Sequence, residues 1–545
     1  MKQTMIVLAA VAIFFSSCTQ VAGWSGKNTD STKTGTDSLT SQVTRDESIS
    51  AANAYSGLFL DSNAVERFIQ DQKVPDSTAA QLRNFYRVRN YGYAWFATDG
   101  ITEQARALWS LYADDKDSSH KAHKSLRIRM DSLLQNDSLV VTTSDSTYAL
   151  TEMSLTRQLL QYAASNPNGT INSQTVYYLV PAKKLDALQM ADSILNKQKD
   201  SARYTNNRLY TSLRQQLATY YSLARNGGWP SLPADAHNLK KGMKSPAVVA
   251  LKKRLQATKE YSAADTGNVF TDSLEAAVKN YQQRNGFQPN GIVNDSLAAT
   301  LNVPAEQRLQ QILLNMNRSL WMQAANDSNR LEVNIPSFML YAYEGHNKAF
   351  DMPVVVGKEG SGTVMFSGNI NQIVFAPQWR LPSSIVQNEI LPAMKRDPSY
   401  LKNHHMEVVG RSENLPDIRQ LPGKDNALGR VKFLFPNSYD IYLHDTPDKT
   451  AFAKKDRALS HGCIRVADAE KLAQYLLRGQ SEWNAQKIAA SMKGTKEEKV
   501  AVNNPELVLI TYYTAWVDDS GALNFRNDIY GHDKVALQKM FLSHA

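Results

Sequence analysis

The spacing of apolar residues changes period once along this chain, and that change constrains the fold more than any single residue does. Up to Trp321 the apolar positions recur at helical intervals. Leu209, Leu213, Leu217, Tyr220 and Tyr221 form one such run, and Arg308-Leu-Gln-Gln-Ile through Trp321 forms another. Beyond Trp321 come short bursts of β-branched and aromatic residues bounded by turn signals. They are Leu331-Glu-Val-Asn-Ile-Pro, Phe338 to Tyr343, Pro353-Val-Val-Val-Gly-Lys and Ile373-Val-Phe-Ala-Pro-Gln-Trp. Helices gathered first and strands later make a multidomain α+β chain. At 545 residues it is too long for a single core, and two to four domains are expected.

The front of the chain has a different character. Met1-Lys2 and the apolar run Met5 to Phe15 form a signal-peptide pattern over residues 1–17, too short to span a bilayer as a helix. It ends in Phe15-Ser-Ser-Cys18, which resembles a lipobox, with Phe15 where Leu is usual. Cys18 is therefore the expected site of lipidation and of membrane attachment. Residues 18–51 begin with that Cys and continue as a Ser-, Thr-, Asp-, Lys- and Gly-rich tether unable to bury a core. The net charge of +9 suits an anionic partner, but no basic run interleaved with aromatics marks a nucleic-acid surface, so no nucleic-acid partner is expected.

Only two cysteines occur, Cys18 and Cys463. As structural residues they would form one disulfide, which an oxidising compartment permits. Lipidation of Cys18 instead leaves Cys463 as the sole thiol, a candidate nucleophile. It sits in Ser460-His-Gly-Cys-Ile-Arg465, downstream of His444-Asp-Thr-Pro. Val431-Lys-Phe-Leu-Phe and Ile441-Tyr-Leu place His444 at a strand end. Ala467 to Leu477 has helical spacing, so Cys463 is expected on a glycine turn leading into a helix. Free N–H groups there favour thiolate and can hold an oxyanion. A histidine within reach can take the thiol proton and return it to a leaving amine. A Cys near a His, taken alone, is most simply a small buried hydrophobe. The full string points the other way.

That string resembles the signature of the L,D-transpeptidases with a YkuD-type catalytic domain: a His, a gap, then Ser/Thr-His-Gly-Cys and an apolar residue. Arg465 and the Leu-His-Asp-Thr-Pro before the gap resemble the large multidomain subgroup. The resemblance implies a helical scaffold domain at 52–235, carried by Tyr91-Gly-Tyr-Ala-Trp-Phe and Gly227-Gly-Trp-Pro. It implies a three-helix peptidoglycan-binding module at 236–303, carried by Leu239-Lys-Lys-Gly, Ala277-Val-Lys-Asn-Tyr-Gln, Asn285-Gly-Phe and Gly291-Ile-Val. In that module Leu239, Val248, Leu251 and Leu255 read as one helix face. It further implies a mostly-β catalytic domain at 304–545, with a capping insertion at about 383–430. The segment from Leu507 reads as a closing hairpin. Ala376, where Asn is common before Pro, and Gly362-Thr-Val-Met, where Thr-Pro is common, depart from the subgroup.

By the same resemblance Cys463 is the nucleophile, His444 the general acid/base and Gly462 part of a backbone oxyanion site. Arg465, Ser460, His461, Tyr442, Asn426, Arg430 and Trp379 are the candidate substrate contacts, with Lys432 beside Arg430 as a weaker one. Asp445 either orients His444 or merely belongs to an Asp-Thr-Pro turn. The implied activity joins peptidoglycan stem peptides 3→3 through a cysteine thioester, with release of D-alanine and no cofactor or metal, and carbapenems as inhibitors. His404-His405 has no accompanying Cys or acidic spacing and reads as solvated. The implied setting is the periplasm of a Gram-negative bacterium, on a lipid anchor. An L,D-carboxypeptidase and a non-catalytic peptidoglycan-binding lipoprotein are the alternatives.

Overall fold

The computed structural model describes residues 43–113, 124–134, 139–166, 171–172, 176–196, 207–262, 264–322, 328–412 and 415–542. The signal-peptide pattern, Cys18 and most of the tether lie outside the described residues.

Helices dominate the first half, as the periodicity requires. They include Ser62–Asp71, Asp76–Arg87, Glu103–Ala113, Ser146–Ser165, Ala187–Asn196 and Arg208–Arg225. Asp61, Asp145 and Asn207 cap three of these by accepting N–H bonds from the first turn. Short strands β1 (Phe96–Ala97) and β2 (Gly100–Ile101) pair antiparallel. The Tyr91–Phe96 aromatics are core. Trp95 is fully buried and donates to Thr156 Oγ1 (2.9 Å), while the buried Glu152 carboxylate accepts the Ala94 and Trp95 N–H groups (2.7 and 2.9 Å).

Helix Ala305–Trp321, which the sequence reading gave to the catalytic region, packs in this helical core instead. Its Leu309, Ile312, Leu313 and Trp321 share one cluster with Leu213 and Leu217. Because almost every side of that helix is buried, it cannot serve as an amphipathic lid on a sheet. Residues between Arg225 and Ala305 therefore form a module set between two packed helices. Within it, helices Pro246–Ala257, Asp272–Arg284 and Asp295–Leu301 are capped by Ser245, Thr271 and Asn294 and close a separate small core. Leu239 belongs to no helix face; it precedes the first helix and bridges to Val293.

The strand-like bursts form one sheet. β3 (Arg330–Asn334), β4 (Met339–Glu344), β5 (Asn347–Gly357) and β6 (Phe366–Phe375) come first. β7 (Trp379–Arg380), β8 (Met406–Ser412) and β9 (Leu415–Gln420) make a separate three-stranded sheet in the order β7-β9-β8. With helical pieces between 383 and 403 and a core of Leu381, Ile385, Val386, Ile390 and Ile418, they form the insertion. β10 (Val431–Leu434), β11 (Leu443–His444), β12 (Ala458–Ser460), β13 (Ile464–Val466) and β14 (Glu498–Thr511) return to the main sheet. Its nine-stranded order is β12-β5-β13-β11-β10-β6-β14-β3-β4. β5 also pairs with β4, so the ladder closes on itself around Val333, Phe375, Phe433 and Ile464.

Leu507–Thr511 is not half of a hairpin. It is the end of β14, held between β6 and β3, where Val508 to Thr511 are all buried and both neighbours are already paired. The expected hairpin about the Asp518–Gly521 turn is present, but only the end of the segment forms it, between β15 (Ala515–Val517) and β16 (Leu523–Phe525), and it packs on the helical core.

Candidate active site

Parallel pairing of β11 with β13 brings the motif together. His444 lies opposite Arg465, and Lys432 of antiparallel β10 lies opposite His444 from the other side. Side chains alternate along a strand, so Leu443, Phe433 and Ile464 enter the core while Lys432, His444 and Arg465 share the other face. One pleat back on that same face stand Tyr442 and Cys463. The Ile464 N–H donates to Tyr442 O (3.1 Å), and the Tyr442 and His444 ring centroids are 5.8 Å apart. Cys463 thus sits beside Tyr442 and diagonal to His444, within the reach of cross-strand side chains. Its Sγ lies 3.7 Å from the carbonyl of Asp440.

The imidazole is fixed by backbone. His444 Nδ1 lies 2.5 Å from Asp445 O, and a carbonyl only accepts, so Nδ1 carries the proton and Nε2 is left to take one. The Asp445 carboxylate does not hold the ring. Its Oδ1 accepts from Lys449 Nζ (2.6 Å) and its Oδ2 from the Arg430 N–H (2.9 Å). A Cβ on Gly429 would come within 2.4 Å of that carboxylate, and Gly429 has φ +64°, so only glycine fits there.

Burial sets the protonation states. It pulls the His444 imidazolium down to about 4, with the Arg465 and Lys432 charges adding to the effect. Burial also pushes the Cys463 thiol up, although hydrogen bonding with Tyr442 opposes it. At neutral pH the pair rests as thiol and neutral imidazole. The helix-start N–H groups expected to favour thiolate do not surround the sulfur, and Cys463 is half-buried. Nor does a helix start there: strand β13 intervenes because Ile464 and Val466 fill the sheet, and helix Ala469–Leu476 begins after its Asp468 cap.

The turn before Cys463 is tied internally. Gly462 has φ +113°, a conformation that suits glycine. Its N–H donates to Ser460 Oγ (3.2 Å), and that hydroxyl donates to Cys463 O (2.6 Å). The Gly462 N–H is therefore not free for an oxyanion, and buried Ser460 shapes the turn with its hydroxyl bonded on both sides rather than facing a substrate. Asn426 is likewise consumed inside the protein. Its amide donates to the carbonyls of Pro377, Gln420 and Leu421 and its oxygen accepts from the Leu428 N–H. His461 is exposed and pairs through Nε2 with Glu389 Oε1 of the insertion (2.9 Å). Trp379 lies half-buried on β7, against the insertion's own core rather than on the His444 face. Arg430 and Arg465 are half-buried; among the described residues the Nε of Arg465 has no hydrogen-bond partner. His404 stacks on Tyr400 and bonds its carbonyl.

Two contributors escaped the sequence reading. Thr363 donates to Gly462 O (2.7 Å), and Tyr530 donates to Gly357 O (2.5 Å) and accepts the Thr363 N–H (3.3 Å). The sequence signals were the place of Thr363 in Gly362-Thr-Val-Met and of Tyr530 in Arg526-Asn-Asp-Ile-Tyr, and neither assigned a role.

Residues 328–496, which hold β10, β11, β13 and the Cys463 turn, match the family model described as the L,D-transpeptidase catalytic domain, YkuD. The chain carries an L,D-transpeptidase catalytic domain. Residues 80–217 match a scaffold domain, and residues 244–301 match a model described as "Putative peptidoglycan binding domain". A Haemophilus influenzae protein named "Putative L,D-transpeptidase" is 31% identical over 305 residues, which is 51% of this chain. The chain spans 61% of that relative's length. Among solved structures, an L,D-transpeptidase from Stackebrandtia nassauensis aligns at 15% identity and TM-score 0.21, covering 52% of this chain and 96% of that one. One from Mycobacterium smegmatis aligns at 11% and 0.19, covering 34% and 58%.

Proposed function

We propose that this protein is a peptidoglycan L,D-transpeptidase that forms 3→3 cross-links through a thioester on Cys463. The observation that carries the reading is the placement of Cys463 one pleat from His444 on paired parallel strands, with Nδ1 held by Asp445 O and Nε2 given no partner among the described residues. The Cys463 sulfur attacks the carbonyl joining a diamino acid to terminal D-alanine, and its proton passes to His444 Nε2. The C–N bond breaks, His444 returns the proton to the departing amine, and a thioester remains. A side-chain amine of a second stem attacks that thioester, loses a proton to His444, and the thiol is regenerated. A backbone donor at the oxyanion is worth about 3 kcal/mol in such a step.

Arg465 and Lys432 flank His444 as half-buried cations on this face and are suited to stem carboxylates by charge-assisted hydrogen bonds. The module at 244–301 would hold the enzyme on its polymer. Lipidation at Cys18, with a tether over 19–50 whose mean span is about 30 Å, would let it work in the wall layer next to a periplasmic membrane face.

The test uses full-length protein carrying Cys18→Ala, mixed with purified tetrapeptide-stem disaccharides and followed by mass spectrometry, beside the same protein with Cys463→Ala. A dimer lacking one D-alanine, absent with Cys463→Ala, is expected. A tripeptide without dimer would make the protein an L,D-carboxypeptidase. Neither product, with wall binding retained, would leave a peptidoglycan-binding lipoprotein.

A further inference from the structure

A buried hydroxyl far from the motif in sequence determines where the nucleophile's own N–H points. Thr363 is 1% exposed, and its Oγ1 accepts the Gly357 N–H (2.9 Å). With that acceptor site used by a donor, its single proton goes to Gly462 O (2.7 Å). The Gly462 carbonyl and the Cys463 N–H belong to one planar trans peptide and point to opposite sides of it. Holding the oxygen inward therefore turns the Cys463 N–H outward. Among the described residues that N–H has no hydrogen-bond partner, whereas the Gly462 N–H is taken by Ser460.

The anchor is itself braced. A Cβ on Gly357 would lie 2.2 Å from Ser361 O, so the 357–363 loop folds back too closely for any other residue. Tyr530 pins the loop from outside by donating to Gly357 O and accepting the Thr363 N–H. Tyr530 in turn accepts position from Tyr512, whose hydroxyl receives the Tyr530 N–H (2.9 Å) and donates to Asp528 (2.7 Å). A glycine at 462 with φ +113° has wide backbone freedom, and without such a clamp its peptide could rotate.

We infer that Thr363 is a positioning residue for acyl transfer: its hydroxyl clamps the Gly462–Cys463 peptide so that the Cys463 N–H faces the developing oxyanion. This rests on the acyl-transfer reading, and it separates chemistry that needs an oxyanion donor from chemistry that does not. Acylation of Cys463 by p-nitrophenyl acetate passes through a tetrahedral oxyanion: the thiol sulfur bonds the acetyl carbon, p-nitrophenolate leaves, and the thiol proton goes to His444 or water. Alkylation by iodoacetamide displaces iodide with no oxyanion.

Both rates are measured on the full chain carrying Cys18→Ala, where Cys463 is the only cysteine. Thr363→Val is expected to slow acylation by about 10- to 100-fold, since loss of alignment near 1 Å has effects of that order. Alkylation should stay within about twofold, and Thr363→Ser should restore acylation to within about threefold, because the clamp and not the reactivity of sulfur has changed. On stem peptides kcat should fall with KM unchanged. Equal loss of both rates would make Thr363 structural, and unchanged acylation would overturn the inference outright. If Thr363→Val does not fold, Tyr530→Phe loosens the same loop and should lower the acylation-to-alkylation ratio in the same direction; an unchanged ratio sinks the inference. A wild-type protein that is acylated but never cross-links stems would remove the proposed function and leave the clamp standing.

Discussion

His461 and Glu389 meet at 2.9 Å, so the residue next to the Gly462–Cys463 turn is joined directly to the insertion between β6 and β10. Both side chains are exposed, 40% and 52%, and such a pair adds little to global stability, at most about 1 kcal/mol. Its effect should be local. Glu389→Gln is expected to leave the thermal midpoint within about 2 °C. Backbone hydrogen exchange across 383–403 should rise severalfold at the same time. Unchanged exchange would mean the insertion is held by its own core alone.

The protonation states give a second prediction. An ion pair of thiolate and imidazolium would make Cys463 reactive from about pH 6 upward. The thiol pushed up by partial burial and the imidazole lowered to about 4 require the opposite. Alkylation of the Cys18→Ala protein should climb through and beyond the ordinary thiol range of about 8.5, with no plateau near neutrality. His444→Asn should barely change that curve, while lowering acyl transfer by about 100- to 10,000-fold. A neutral plateau lost with His444 would show an ion pair instead.

Much of this site was legible because its parts are close in sequence. His444 at a strand end, the tight turn at Gly462 and the β-period around Val431 are local patterns, and the structure keeps them. What was not legible depends on partners far along the chain. The Thr363 clamp spans 99 positions and the Tyr530 brace 167, and no local spacing encodes either. Helix Ala305–Trp321 was placed with the sheet because it precedes it, yet burial around nearly its whole circumference ties it to Arg208–Arg225. Ile464-Arg-Val was too short to read as a strand, so Cys463 was credited with a helix N-terminus it does not have. Asn426 came as a substrate contact from the resemblance alone; in the fold it is buried, and its amide is bonded to the carbonyls of Pro377, Gln420 and Leu421.

Acid sensitivity follows from His444. Its ordinary value is 6.5 and burial in the fold lowers it to about 4, so the unfolded chain takes up the proton first as pH falls. The stability held by the neutral ring is complete above 6.5 and is lost as pH drops towards 4, by up to about 3 kcal/mol at 1.36 kcal/mol per pH unit. Urea midpoints of the native protein should therefore fall over that window, and His444→Gln should flatten the fall. Lys432→Met removes one of the charges that depress the ring and should shift the window upward. Parallel curves for wild type and His444→Gln would show that the ring is not the group responsible.

A buried ionic coupling between the helical core and the sheet runs through Arg318. Its guanidinium bonds Glu103 twice (2.6 and 3.0 Å), Asp533 (2.5 Å) and the Tyr512 carbonyl (3.2 Å). Those partners lie on helix Glu103–Ala113, on helix His532–Met540 and just past β14, so one side chain ties three elements to helix Ala305–Trp321. Arg318 is 3% exposed and Asp533 8%, and burial pushes the Asp533 carboxyl up while the Arg318 charge opposes that rise. Removing the cation leaves two carboxylates facing each other in a poorly hydrated site, which costs about 3–5 kcal/mol for a buried pair. Glu103 retains some contact with water at 18%, so Arg318→Met should fall at the lower end, near 3 kcal/mol by urea unfolding. Adding Asp533→Asn removes one of the stranded charges and should recover part of that loss, because neighbouring sites do not add independently. A loss below about 1 kcal/mol for Arg318→Met would mean that water reaches the site and screens it, and that apolar packing of Leu309, Ile312 and Trp321 holds the two halves together without the arginine.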